Sequence, residues 1–253
     1  MKMMISTAIA MIAASSALAQ GDCAAGRTME EGKLTVATGN PAYFPWVIDD
    51  APESQQGFEA AVAYAVAREM GFADDQVVWV RSSFDQAIQP GAKDFDFNLQ
   101  QFSITPERDE IVDFSAPYYS AAMAVLTRQP VVDGGATPTV AALKGLKWGA
   151  DANTTAVPML TEIIGPDSDP LLYGDNADVV EAMKANQIDA ALFDLTTALY
   201  LGAVVMDDGA ICASHGTIRT HLQRHHWVVL QQCADHASRV ALSCKHTSLV
   251  QIG

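Results

Sequence analysis

Basic side chains are what this sequence has least of. Fifteen Lys and Arg face thirty Asp and Glu over 253 residues, a formal charge of −15 at pH 7. So acidic a chain has nothing with which to neutralise phosphates, which excludes a nucleic-acid partner. Charge of either sign is sparse, 18% of residues, while 49% are hydrophobic, and that balance argues against disorder. Apolar runs of membrane-spanning length are missing beyond the first residues, so any membrane contact has to come through separate partners. The length allows one large domain or two lobes of about 100 residues each.

What is present at the start reads as an export signal. Lys2 supplies the positive end, residues 3–14 are mostly apolar, and Ala17-Leu18-Ala19 is a small-x-small cleavage site, so residues 1–19 are expected to be a cleaved secretory signal. Cys23 follows Gln20-Gly21-Asp22, which lacks the pattern of a lipid-anchor site. The expectation is a periplasmic protein.

The most informative stretch is 93–119. Phe95, Phe97 and Leu99 alternate with Asp94, Asp96 and Asn98, a strand pattern that runs out into Gln101-Phe102-Ser103. Thr105-Pro106-Glu107-Arg108 then reads as a helix start, with Thr at the N-cap and Pro at the first helical position. A strand ending in polar groups beside a helix start suits a small anion. Arg108 adds a planar fork matched to a carboxylate, although on spacing alone it pairs equally well with Asp109 or Glu110 on a solvated helix.

Ser103-Ile104-Thr105-Pro106-Glu107-Arg108, followed by Val112-Asp113-Phe114-Ser115-Ala116-Pro117-Tyr118-Tyr119, resembles the signature of periplasmic amino-acid-binding proteins, the solute receptors of polar amino-acid ABC importers. The similarity runs over about 32–208. It implies an α/β, two-lobed type II periplasmic-binding-protein fold with a cleft between lobes, lobe 1 over 30–120 and lobe 2 over 121–208. It further implies an amino-acid ligand, permease subunits of an ABC transporter as partners, a monomer, and no cofactor, metal or catalytic group.

Taken along the chain, 33–38 is a β-branched strand, and the loop after it carries Tyr43, Phe44 and Trp46, rings that either stack on a ligand or cap the core. The resemblance makes Tyr43 the first choice for a ligand wall and Trp46 the second. A helix from 57 to 70 has Phe58, Val62, Ala65, Val66 and Met70 near helical spacing, with Glu59 a first-turn acid and Gly71 the stop. Strand 77–80 leads to Phe84, a ligand wall by resemblance or else core filler. Residues 121–127 read as the strand crossing to lobe 2, and 131–138 as a Gly/Pro-rich loop.

In 146–155 a strand is followed by Asn153-Thr154-Thr155, where the family commonly has Gly-Thr-Thr. Asn is expected to keep a left-handed turn there, and Thr155 is the expected lobe-2 contact for the ligand carboxylate. A short helix over 177–185 is followed by Asn186-Gln187-Ile188-Asp189-Ala190, which resembles a further family segment ending at Asp194. A lone carboxylate at that strand end is costly unless paired. Asp194 is therefore expected to meet a substrate ammonium, to N-cap the next helix, or to do both. The implied site is Arg108, Ser103 and the N–H groups near Gln101 for the carboxylate, Thr155 from lobe 2, Asp194 for the ammonium, and Tyr43, Phe84 and Phe102 as pocket walls.

Beyond Asp208 the chemistry changes. All six His lie between His215 and His246, three Cys are Cys212, Cys233 and Cys244, and Asp235 is the one acid. The resemblance implies a hinge return to lobe 1 here, yet 212–253 lacks those patterns. The tail over 209–253 is thus atypical, and a shifted reading frame accounts for the change in charge, His and Cys together. The sharper alternative is zinc, from Cys212-x2-His215, His221-x3-His225 and Cys233-x2-His236. Without a proper return, lobe 1 is expected to leave a sheet edge uncovered. A functional alternative to the receptor is a periplasmic cyclohexadienyl-dehydratase-like enzyme on the same scaffold, with Asp151 the nearest available acid.

Overall fold

The structure, a computed structural model, describes residues 24 and 26–214 and, as backbone alone, the strands at 225–227 and 230–231. The signal segment, Cys23, His215, His221, His236, His246, Cys233 and Cys244, and the side chains of His225 and His226, lie outside the described residues.

The first lobe begins with β1 (Leu34–Thr38), whose five residues are all buried, and α1 (Phe58–Glu69). Gly57 N-caps α1 at φ +103, and a Cβ there would sit 2.4 Å from the Trp46 carbonyl oxygen. That absence of a side chain lets the Glu59 N–H reach the Trp46 carbonyl at 3.0 Å and fixes the helix start against the loop. The buried face of α1 is Glu59, Ala60, Ala63, Tyr64 and Ala67. It differs from the expected stripe because alanines let the helix settle close on β1, leaving Val62, Val66 and Met70 as partly buried flanks and Ala65 exposed.

The lobe continues through β2 (Val77–Arg81), α2 (Phe84–Ile88), β3 (Phe97–Asn98), α3 (Pro106–Asp109) and β4 (Asp113–Phe114). The alternation at 95–99 orders the core as expected, with Phe95, Phe97 and Leu99 buried. The strand itself shrinks to two residues, and Asn98 is buried as well.

The chain leaves this lobe through β5 (Tyr119–Ala121) and enters the second with β6 (Met123–Arg128). There follow α4 (Gln129–Asp133), α5 (Val140–Lys144), β7 (Trp148–Asp151), α6 (Ala156–Met159), β8 (Leu171–Tyr173), α7 (Asn176–Lys184), β9 (Ala190–Asp194), α8 (Leu195–Tyr200) and β10 (Gly209–Ser214). Residues 131–133, the start of the stretch read as a loop over 131–138, belong to helix α4, where Pro130 falls in the first turn and its missing N–H costs nothing. Strands β11 (His225–Trp227) and β12 (Leu230–Gln231) close the order.

Two five-stranded sheets result. The first runs β2-β1-β3-β12-β4, with β1 parallel to β2 and β3, and β12 antiparallel to β3 and β4. The second runs β10-β6-β9-β7-β8, with β7 parallel to β8 and β9 and with β6 antiparallel to β9 and β10. Its two faces carry separate cores, one around Leu143, Trp148 and Leu160, the other around Leu126, Met183 and Phe193. A β11–β5 ribbon is the third sheet.

Two expectations about the tail change. Residues 209–214 belong to the second sheet, and the half-buried Cys212 side chain packs on its core, where burial pushes the thiol pKa up. The backbone of 230–231 fills the seam between β3 and β4, so the sheet is not left open there. Among the described residues no helix is long and apolar enough to cross a membrane.

Candidate functional site

The cavity lies where several strands end. Segments following β1, β2, β3, β7, β8 and β9 all contribute to its wall, the position where open α/β sheets place ligands. It encloses about 270 Å³, the scale of one small molecule.

Arg108 is its centre. Thr105 N-caps α3, its hydroxyl accepting from the Arg108 N–H at 3.3 Å, and Pro106 opens the helix. The Arg108 side chain is buried and donates to the Ser103 carbonyl at 3.0 Å and, across the cleft, to the Asn153 carbonyl at 2.8 Å. The rejected alternative, pairing with Asp109 or Glu110, is excluded by that burial. Burial lowers the Arg108 pKa to about 10, with the Asp151 and Glu107 charges opposing, so it remains a cation at neutral pH. Its guanidinium carbon lies 5.3 Å from the Phe84 ring centroid and 5.9 Å from that of Phe102.

Seven of the eight residues expected at the site line this cavity: Tyr43, Phe84, Gln101, Ser103, Arg108, Thr155 and Asp194. Phe102 does not. It is fully buried in the lobe-1 core with Ala37, Phe95 and Val112, and stacks beneath Phe84 at 4.2 Å. Its apolar surface outweighs any wall position, so Phe102 supports Phe84 instead. Trp46 is likewise 2% exposed, and its indole N–H donates to Thr197 Oγ1 at 3.1 Å, joining the lobes rather than facing a ligand.

Gln101 lines the cavity, but its N–H is not available to an anion. At φ +54 the backbone turns this N–H onto Glu59 Oε1 at 2.9 Å, and the side-chain amide donates to Glu59 Oε2. Glu59 is therefore no solvated first-turn acid; it is 1% exposed and also accepts from the Tyr118 hydroxyl. Asn153 needs no left-handed backbone, since it is absent from the positive-φ positions; its N–H donates to Asp151 Oδ1 at 3.1 Å. The left-handed residue in the later segment is Asn186, at φ 60 after the end of α7.

In the second lobe, Thr154 returns its hydroxyl to the Asp151 carbonyl at 2.9 Å, while Thr155 lines the cavity at the N-cap position of α6. Asp194 ends β9 and N-caps α8, accepting from the Thr197 N–H at 2.9 Å. Burial raises its pKa, opposed by the Thr197 hydroxyl and amide. Asp151, 4% exposed, is raised the same way, with the charges of Asp175 and Asp85 adding and Arg108 opposing.

Two wall residues carried no sequence signal. Asp175 N-caps α7 and accepts from the Tyr43 hydroxyl of the other lobe. Burial raises the pKa of that tyrosine, with the Asp175 hydrogen bond second. Tyr200 meets Phe44 across the mouth with ring centroids 4.3 Å apart. Among the described lining residues, the carboxylates are Asp151, Asp175, Glu181 and Asp194, and Arg108 is the single cation. No described cluster of His, Cys, Asp and Glu could hold a metal ion.

Comparison with known proteins gives a consistent picture. The profile of bacterial extracellular solute-binding proteins, family 3, matches residues 34–189. A probable amino-acid ABC transporter periplasmic-binding protein of Sinorhizobium fredii is 29% identical over 187 residues, 68% of this chain and 58% of that protein, so the chain spans little more than half of that relative. The periplasmic binding protein of Salmonella typhimurium described for its high arginine specificity superposes with a TM-score of 0.66 at 24% identity, covering 84% of this chain and 90% of that one. The GluR0 ligand-binding core of Nostoc punctiforme, bound to L-glutamate, gives 0.61 at 20%, covering 83% and 90%. The fold is that of the type II periplasmic binding proteins.

Proposed function

The chain belongs to the bacterial extracellular solute-binding proteins of family 3, and on that premise we propose that it is a monomeric receptor holding an α-amino acid with a cationic side chain and delivering it to the permease of an ABC importer. The charge balance of the cleft carries the ligand reading: Asp151, Asp175 and Asp194 line it against one guanidinium, while the fourth carboxylate, Glu181, pairs with Lys184 at 2.9 Å. Arg108, with Ser103 and Thr155, holds the ligand carboxylate as a charge-assisted pair. Asp194 holds the ammonium. That leaves Asp151, buried and carrying no cation but Arg108 in its surroundings, to meet a positive side chain. The Asn153 N–H at 3.1 Å and the Arg108 charge offset its burial only in part, since its pKa stays raised, and a ligand cation would remove the remaining cost only when bound. Phe84 and Tyr43 supply the apolar wall.

The relatives fit this reading at two levels. The Sinorhizobium protein is named for amino-acid transport and the Salmonella protein for arginine. The glutamate-bound neighbour has the same fold, so the fold leaves the ligand to the side chains of this cleft. Contacts from both lobes favour the closed arrangement, which is how such a ligand would be retained. Residues 1–19 would direct export and be removed. The relatives named above are binding proteins and lend the dehydratase alternative no support.

Calorimetry with arginine, lysine, citrulline, glutamine and glutamate tests the proposal. Arginine or lysine should bind more tightly than citrulline, which keeps the shape of arginine without its charge. Tighter binding of glutamate or of citrulline would refute it.

A further inference from the structure

We propose that Glu59, a positioning residue that faces no ligand, decides which end of the Gln101 amide the cleft presents, and so couples affinity for a cationic ligand to pH. The inference rests on the cationic-ligand reading for its consequence, but its geometry stands apart from it. Glu59 is 1% exposed at the start of α1 and accepts from three groups: the Gln101 N–H at 2.9 Å, the Gln101 side-chain amide, and the Tyr118 hydroxyl. Gln101 in turn lines the cavity. An amide has a donating and an accepting end. While Glu59 is ionised it can only accept, so it takes the NH2 end of Gln101 and leaves the carbonyl oxygen for the cleft. That oxygen suits a guanidinium or ammonium.

Protonation reverses the polarity. A carboxylic acid with its proton on Oε2 donates, and a donor cannot face the Gln101 NH2. The amide then rotates to offer its oxygen to Glu59, and its NH2 turns to the cleft, where it gives a cation no acceptor. Burial pushes Glu59 up to about 7, with the Tyr118 and Gln101 donors holding it down and the Asp194 charge raising it. The charged or titratable groups facing it are thus Tyr118 from the segment before β5 and Asp194 from the end of β9. Tyr118 is itself raised by burial and stays protonated. Asp194 binds the ligand ammonium in the proposed function, so ligand binding should also favour the ionised form of Glu59.

The test has one arm without ligand and one with it. In the ligand-free protein, the 15N-resolved side-chain NH2 signals of Gln101 should titrate with a midpoint near the Glu59 value of about 7, and should not titrate in Glu59→Gln. In the second arm, the ratio of citrulline to arginine dissociation constants should fall roughly tenfold from about pH 8 to about pH 6, following the ionised fraction of Glu59. Glu59→Gln should lose that tenfold change and keep only whatever dependence Asp151 and Asp194 produce. Gln101 signals that ignore pH in the wild-type protein, or a pH-dependent ratio unchanged in Glu59→Gln, would overturn the inference. Titrating Gln101 signals with arginine and citrulline bound equally at every pH would overturn the cationic-ligand reading, and the coupling of affinity to pH with it. The wild-type titration needs no variant to fold.

Discussion

Replacing Arg108 with Ala separates binding from folding, because the structure gives the two effects different sizes. For binding, the cleft loses the single cation among its described lining residues. A ligand carboxylate left without its charged partner in a buried site costs on the order of 2–5 kcal/mol, so the dissociation constant for arginine should rise roughly 30-fold to several-thousand-fold. For folding, two opposing terms nearly cancel. The charged hydrogen bonds to the Ser103 and Asn153 carbonyls are lost, each worth about 1.5 kcal/mol or somewhat more. Against this, burial had lowered the Arg108 pKa from 12.5 to about 10, a desolvation cost of about 3 kcal/mol that disappears with the charge. The expected result is a melting temperature within a few degrees of wild type and calorimetry with the arginine dissociation constant raised by that factor. Arg108→Lys, which keeps a point charge but loses the fork, should fall between. A dissociation constant within threefold of wild type for Arg108→Ala would remove Arg108 from the site.

Asp151→Asn should lower arginine affinity about 10–100-fold and leave citrulline nearly unchanged, since only a charged partner is lost; equal losses would show that Asp151 does not face the ligand side chain. Asp194→Asn should weaken α-amino acids far more than their deaminated analogues, and calorimetry showing equal weakening would leave Asp194 with its capping role alone. Gly209→Ala would put a Cβ 2.5 Å from the Gly202 Cα and 2.7 Å from its carbonyl oxygen. All the close atoms are Gly202 backbone rather than the end of a flexible side chain, so chemical denaturation should report a loss of about 1–3 kcal/mol. Ligand-free stability should fall as pH rises through the window in which Glu59 is raised, from 4.5 to about 7. There the folded protein binds more protons than the unfolded chain, so the stability is full below the lower value and declines by about 3 kcal/mol at the upper one. Denaturation at several pH values should show that slope flattened in Glu59→Gln.

The local grammar of the chain was readable where local forces decide. Thr105 and Pro106 announce the start of α3, and Phe95, Phe97 and Leu99 announce a buried face, because capping and alternation act over a few residues. The placement of Arg108, Ser103, Thr155 and Asp194 around one cavity followed from a motif rather than from spacing. What was not readable depends on which elements meet. Glu59 has the sequence context of an exposed helix start, and only the approach of Gln101 and Tyr118 makes it buried. Phe102 sits three residues past the end of the alternation at Leu99, and its side is set by the stacking of Phe84. Trp46 and Tyr43 find partners 151 and 132 residues away, in Thr197 and Asp175, which no short window can contain. The buried stripe of α1 was misplaced because hydrophobicity favours valines, whereas close packing on β1 selects alanines.

The position of β12 governs the order in which this chain can assemble. The strands of the second sheet all come from one run, Met123 to Ser214, and that lobe can therefore be completed as soon as the run is available. The first sheet is different: β3 and β4 meet only through Leu230–Gln231. Pairing Leu230 with Asn98 closes a span of 132 residues (230 − 98). Closing so long a span is thermodynamically mild, about 0.6 kcal/mol for each doubling of length, but contacts so distant in sequence form slowly. The half of the molecule made first is thus finished last. Helix α3, which carries Arg108, lies in the segment between the two strands that β12 joins. A newly made chain, or one clipped between Ser214 and Leu230, would hold a finished second lobe beside an Arg108 that keeps its local bonds to Thr105 and Ser103 but stands on a sheet not yet closed.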